Sequence, residues 1–187
     1  LDMKRRGKLN GNALVATVMS NLGLHEFCRN NGIDLLCTDV GDRNVLELMQ
    51  KEGMVLGGEQ SGHIIFLDHM TTGDGQLAAL QFLSIVQQSG KKVSELSDKI
   101  VSYPQILRNV RVNSNAEKTA IMESPALREA IAKAEGELAG NGRVLIRPSG
   151  TEPLIRVMVE AGLLDTAERV TGFLTQTVEN LQKSLGK

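Results

Sequence analysis

The chain has 187 residues, 41% apolar and 23% charged, an ordinary globular usage that excludes disordered, collagenous and disulfide-scaffold classes and allows one large domain or two small ones. Lys and Arg total 21 against 22 Asp and Glu, a net charge of −1 that offers no field for gathering a nucleic-acid backbone by counterion release. With 3% aromatic residues, no Trp and one Tyr, stacking surfaces for bases or sugar rings are scarce, so nucleic acid is not an expected partner and any sugar must be held by polar groups.

No run approaches the ~18 apolar residues of a membrane span, and no basic segment leads into a signal-like core, so no membrane partner is expected. The chain opens on Leu1 and the charged run Asp2-Met3-Lys4-Arg5-Arg6-Gly7-Lys8, which reads as the exposed end of a helix and gives the expectation of a fragment. The apolar, β-branched run 14–19 predicts a strand covered on both faces. Ser20-Asn21-Leu22-Gly23 breaks it; a helix over 24–31, a strand over 33–38 and a helix over 44–51 follow. Cys28 and Cys37 have no His at zinc spacing and are expected to be reduced, core-type thiols of a cytoplasmic protein. Strand-like runs 54–56 and 64–67 flank a glycine-rich loop. A helix over 75–88 places Leu77, Leu80, Leu83 and Val86 on one stripe, and a short helix spans 93–100. This alternation predicts a three-layer α/β/α domain over 1–101.

Beyond it the pattern changes. Residues 103–112 read as a strand with one wetter face, and 117–138 as helix broken near Ser124-Pro125. Strands over 143–147 and 154–160 flank a turn-rich loop. Asp165-Thr166-Ala167-Glu168 has capping-box spacing, and the helix after it aligns Val170, Leu174, Val178, Leu181 and Leu185. Residues 102–187 are therefore expected to form a smaller α+β domain with helices on one face of its sheet.

Two loops carry candidate chemistry. In Gly57-Gly58-Glu59-Gln60-Ser61-Gly62-His63, Glu59 and Ser61 point to one side if the loop is extended. The carboxylate can then accept from vicinal sugar hydroxyls while Ser61 and His63 add polar contacts. The competing reading is a glycine-rich hairpin with solvated Glu and His. In Arg147-Pro148-Ser149-Gly150-Thr151-Glu152-Pro153, two hydroxyls, the Gly150 and Thr151 N–H groups, Arg147 and the nearby Arg156 suit a phosphate dianion. The alternative is a tight turn with Arg147 and Arg156 paired to Glu152 and Glu160. A third candidate, Thr38-Asp39-Val40-Gly41-Asp42-Arg43, lies where a strand ends and a helix begins, the usual ligand edge of α/β sheets, although Asp42 alone reads as an N-cap. Walker A and dinucleotide fingerprints are absent, which disfavours nucleotide hydrolysis. His25 and His69 show no partner pattern.

Taken together, Gly-Glu-Gln-Ser-Gly-His at 58–63, Thr72-Gly73-Asp74-Gly75 before a helix, and Arg-Pro-Ser-Gly-Thr-Glu-Pro at 147–153 running into 154–160 closely resemble the α-D-phosphohexomutase family. Gln60, Val-Gly-Asp-Arg at 40–43 and Ala-Thr-Val-Met-Ser-Asn at 16–21 resemble most its bacterial branch acting on amino sugars, which interconverts glucosamine 6-phosphate and glucosamine 1-phosphate; a phosphoglucomutase or phosphomannomutase, or a non-catalytic sugar-phosphate-binding module, is the alternative. The family has four domains, so the resemblance implies that residues 1–101 supply most of the third, with the sugar loop, and residues 102–187 the fourth, with the phosphate loop. It implies that Glu59, Ser61, His63, Gly41 and Asp42 bind the sugar, His63 assisting proton transfer, and that Arg147, Ser149, Gly150, Thr151 and Arg156 bind the non-reacting phosphate. The family's phosphoserine, and its Mg²⁺ held by a D-x-D-x-D-R loop, belong to the first two domains. Here only Asp39-Val40-Gly41-Asp42-Arg43 distantly approximates that loop, so no metal site is expected in this chain. The implied partners are the phosphosugar and the preceding domains of the same protein, with a hexosamine or glucose 1,6-bisphosphate as intermediate or primer. The longer protein is expected to be an isomerase of amino-sugar biosynthesis, and this chain alone inactive.

Overall fold

The computed structural model describes residues 1–185 as two compact units, Leu1–Ser102 and a second beginning at Tyr103. The first opens with a short helix α1 (Asp2–Arg5) and a 3₁₀ turn, then β1 (Ala13–Thr17), α2 (Leu22–Asn30), β2 (Asp34–Thr38), α3 (Asp42–Glu52), β3 (Leu56–Gly58), β4 (Ile64–Phe66), α4 (Gly75–Ser89) and α5 (Val93–Ser97). Its sheet has the order β2-β1-β3-β4, parallel over the first three strands and antiparallel at β3–β4. Along β1 the side chains alternate between faces. Val15 packs with Val45 and Met49 of α3 and with Ile65, while Leu14 joins Cys28 of α2, Leu35 and Leu56 on the other face. Helices thus cover both faces, giving the expected three-layer arrangement, with β4 as an antiparallel addition. The route from β1 to β2 runs through α2, and the return across β1 to β3 runs through α3, so the chain reverses direction beside β1. In such sheets that reversal opens a crevice at the carboxyl ends of the strands.

Several expectations are corrected. Val18 and Met19 lie past the end of β1, in the turn that leads to α2. Cys28 is buried, and burial raises its thiol above the ordinary value, whereas Cys37 is exposed on the edge strand β2 and is no core thiol. The α4 stripe is not formed: Leu80 and Leu83 are 66% and 58% exposed, and the half-buried positions are Leu77, Ala78, Gln81, Ser84, Ile85 and Val86. Successive steps of three residues drift about 60° around a helix, so the four predicted positions fan over half its circumference. The helix after 93 also ends at Ser97, earlier than expected.

The second unit contains β5 (Gln105–Arg111), α6 (Asn115–Glu123), α7 (Pro125–Leu138), β6 (Gly142–Pro148), β7 (Leu154–Ala161) and α8 (Leu164–Leu185). The sheet is fully antiparallel with β7 central, in the order β5-β7-β6. Ile155, Val157, Val159 and Ala161 join Ile121 of α6, Leu127, Ala134 and Leu138 of α7 and Val170, Leu174 and Val178 of α8 in one core, so the helices sit on one face as expected. Pro125 starts α7 at a position where its missing N–H is harmless, and Ser124 ends α6 in extended conformation. On α8 the capping reading shifts: the helix begins at Leu164, and Asp165 stands inside its first turn, where a carboxylate meets the positive end of the dipole. Leu185 is exposed rather than on the core face. Among the described residues no helix is long and apolar enough to cross a membrane.

Candidate functional site

In the first unit the ends of β1, β2 and β3 bring three loops to one edge. Gly41 adopts φ +129°, in the region that favours glycine, and its N–H donates to Glu59 Oε2 at 3.0 Å. The 39–43 and 57–63 loops, 18 residues apart, therefore meet through this bond. The second loop is a closed turn and not an extended segment: Gly62 N–H donates to the Glu59 carbonyl and Glu59 N–H to the His63 carbonyl, both at 3.0 Å. Glu59 and Ser61 still converge, because the Ser61 hydroxyl donates to Glu59 Oε1 at 2.5 Å. His63 Nδ1 stands at longer range, 3.4 Å from the same oxygen and 3.5 Å from Ser61 Oγ. The Glu59 side chain is 10% exposed. Hydrogen bonding from Ser61, followed by the Gly41 N–H and His63, holds its carboxyl below its ordinary value against the opposing effect of burial. Glu59 is thus a charged acceptor already gripped by its own protein.

Around it lies a shallow pocket of about 270 Å³ lined by Thr17, Met19, Val40, Glu59, Gln60 and Ser61. Val40 belongs to the third candidate segment, whereas Thr17 and Met19 are lining residues that the loop chemistry did not single out; the signal for them is their place where β1 ends. Asp42 is not brought into the cluster. It is exposed at the first position of α3, with Gly41 as the N-cap, so the capping reading does not hold either. Asp74 caps α4 instead, accepting from Gln76 and Leu77 N–H.

In the second unit the helix-free face of the sheet carries three cross-strand rows. Nearest the 149–152 turn, Asn109, Arg156 and Arg147 stand side by side, then Leu107, Met158 and Leu145, then Gln105, Glu160 and Arg143. Arg147 and Arg156 are directly opposite each other, and like charges in that relation repel. Arg156 meets Glu152 at 3.6 Å, one of the expected pairings, and Arg156 Nε is buried with no hydrogen-bond partner. Glu160 is fully buried and accepts from Arg143 Nε at 2.6 Å and Gln105 Nε2 at 3.0 Å.

The turn itself is well fixed. Ser149, 3% exposed, donates its N–H to the Leu154 carbonyl at 2.9 Å, and its hydroxyl accepts the Glu152 N–H at 3.3 Å. Ser149 therefore closes the turn, while Gly150 and Thr151 are exposed. Sequence reasoning missed Asn109, which only strand register places beside the arginines, and Lys118, whose Nζ donates to the Ser149 carbonyl at 2.7 Å. Among the described residues there is no cluster of three or more His, Cys, Asp or Glu side chains able to hold a metal ion.

Comparison with known proteins assigns both units. Residues 1–103 match the phosphoglucomutase/phosphomannomutase α/β/α domain III, and residues 107–175 the C-terminal domain of the same family. The chain is 50% identical over 179 residues to the phosphoglucosamine mutase of Thermoanaerobacter sp. (strain X514) and 53% identical over 179 residues to that of Desulforudis audaxviator. In each case 96% of this chain is covered, but it spans only about 40% of the relative's length. Among solved structures, N-acetylphosphoglucosamine mutase from Aspergillus fumigatus superposes with a TM-score of 0.79 at 18% identity, covering 91% of this chain and 38% of that one. A complex of that enzyme with GlcNAc-6P and magnesium superposes at 0.75 with 16% identity, covering 96% and 41%, a likeness of fold. With a domain III model over its first unit and the C-terminal domain model over its second, the chain belongs to the phosphoglucomutase/phosphomannomutase family.

Proposed function

We infer that the chain is the substrate-holding half of a phosphoglucosamine mutase, an enzyme that moves a phosphoryl group between O6 and O1 of glucosamine phosphate. The observation that carries this reading is the Arg147–Arg156 pair, two cations opposite each other across β6 and β7 beside a turn with exposed N–H groups. A phosphate dianion relieves that repulsion and takes planar guanidinium donors in parallel. Arg147, Arg156, the Gly150 and Thr151 N–H groups and the Thr151 hydroxyl grip the phosphate that is not reacting. Ser149 contributes by closing the turn.

In the first unit, Glu59 accepts hydrogen bonds from sugar hydroxyls while Gly41 and Ser61 fix its orientation, so little reorganisation accompanies binding. His63, more exposed and loosely held, turns toward the sugar and carries a proton for the reacting oxygen. A charged acceptor also suits an ammonium group on the sugar better than a neutral hydroxyl, and the relatives at about half identity are phosphoglucosamine mutases. The phosphoryl donor and Mg²⁺ belong to other domains of the longer protein, and the bisphosphate intermediate is held here by its sugar and its non-reacting phosphate. This chain alone binds but does not turn over, in a cytoplasmic setting.

The reading is tested in that longer protein by comparing turnover of glucosamine 6-phosphate with that of glucose and mannose 6-phosphates. Loss of a charge-assisted hydrogen bond corresponds to roughly 10- to 100-fold in kcat/KM for Glu59→Ala, with Gln60→Ala much milder. Equal, mild losses in the two variants would remove Glu59 from the site, and preference for the neutral hexose phosphates would overturn the amino-sugar assignment.

A further inference from the structure

The 149–152 turn is contacted by a residue outside it. Lys118 lies on α6, one turn past the N-cap Ser114, and its own N–H donates to the Ser114 carbonyl at 3.0 Å. Its half-buried ammonium stands 2.7 Å from the Ser149 carbonyl and 3.4 Å from the Glu152 carbonyl. Among the described residues no carboxylate stands within ion-pair distance of it. A lysine with this environment has its charge directed at main-chain oxygens of one turn.

The orientation has a consequence through peptide geometry. In a trans peptide the C=O and N–H point in opposite directions, so drawing the Ser149 carbonyl toward Lys118 turns the Gly150 N–H away from it. The other donors of the turn are accounted for. Ser149 N–H goes to the Leu154 carbonyl, Glu152 N–H to Ser149 Oγ, and Pro153 has none. Gly150 and Thr151 are left on the exposed rim, and an atom added at the Gly150 Cβ position meets nothing within 4 Å. Resting on the anion-binding role proposed above, we propose that Lys118 is a positioning residue for the phosphate site: its ammonium fixes the Ser149–Gly150 peptide so that the Gly150 N–H is presented to the anion.

The test follows the amide resonances of the 187-residue chain during titration with inorganic phosphate. The unaltered chain shows saturable shifts at Gly150 and Thr151. Lys118→Met moves the Gly150 amide before any ligand is added and weakens phosphate binding roughly tenfold, the scale of one charge-assisted hydrogen bond. Lys118→Arg donates to the same carbonyls, so it keeps the Gly150 resonance and binds within about threefold of the unaltered chain on that scale. If Lys118→Met does not fold, Lys118→Arg decides alone, and a tenfold loss in it overturns the proposal. Weaker binding in Lys118→Met with the ligand-free Gly150 amide unmoved makes Lys118 a direct phosphate contact and overturns the positioning role. Unchanged binding and an unmoved amide overturn it as well. Failure of the unaltered chain to bind phosphate overturns the anion-site reading itself, and this proposal with it.

Discussion

Replacing Glu59 by Ala removes the acceptor that ties two loops together, and the Gly41 N–H reports the result directly. In the folded protein that N–H meets Glu59 Oε2 at 3.0 Å on the wall of the shallow pocket, where water replaces part of the lost bond. A hydrogen bond to a charged group contributes about 1.5–3 kcal/mol. Since about 1.4 kcal/mol is a factor of ten, local opening of the 39–43 loop becomes roughly 10- to 100-fold more frequent in Glu59→Ala. Amide hydrogen exchange of the 187-residue chain at fixed pH measures this at Gly41, with Gln60→Ala as the neighbouring control and the β7 amides as the internal reference. Faster exchange at Gly41 and in the 59–63 turn, with β7 unchanged, is the expected result. An unchanged Gly41 rate in Glu59→Ala refutes the claim that the carboxylate organises the two loops.

Three further outcomes follow from the same structure. Because hydrogen bonding from Ser61 lowers the folded carboxyl of Glu59 below its ordinary 4.5, its stabilisation is fully present above that pH and is lost as pH falls through the folded value; the thermal-midpoint advantage over Glu59→Gln therefore shrinks on acidification, and an advantage that grows there contradicts the sign. Gly58→Ala places Cβ 2.7 Å from the His63 carbonyl oxygen, so the hairpin must spread, a change worth about 1–3 kcal/mol and visible as a lower urea midpoint with displaced 59–63 amides. Arg143→Met leaves the fully buried Glu160 without its 2.6 Å partner; it destabilises by about 3–5 kcal/mol, and adding Glu160→Gln recovers much of that in denaturant titration.

The fold was legible where periodicity and burial coincide. On α8 the steps of four through Val170, Leu174 and Val178 stay on one face and are buried, whereas the repeated steps of three on α4 rotate Leu80 and Leu83 outward. The apolar run at 14–19 shows a strand but not its end, because Val18 and Met19 are as apolar in a turn as in a strand. In the sites, residue type points to the loops and tertiary placement assigns the tasks. The spacing of Glu59 and Ser61 puts them on one side only if the loop is extended; the fold supplies a turn, and there the hydroxyl meets the carboxylate. The Ser149 hydroxyl, read as a phosphate ligand, also accepts the Glu152 N–H of its own turn. Neither Lys118, 31 residues from the carbonyl it holds, nor Asn109 beside Arg156 has any local signal. Such contacts exist only once the sheet register is set.

In the proposed reading the 147–153 loop of the second unit holds phosphate and the 57–63 loop of the first holds sugar hydroxyls, each within its own unit, and phosphoryl transfer needs other domains. Adding glucosamine 6-phosphate to the 187-residue chain and recording amide shifts tests it most directly. Saturable shifts are expected at Gly150 and Thr151 and at Gly41 and Ser61, weakening as salt screens the phosphate and abolished at Gly150 by Arg147→Ala. It also predicts no glucosamine 1-phosphate in the same tube, even with Mg²⁺ and a bisphosphate primer. No response in either loop, or isomerisation by the pure chain, would contradict it.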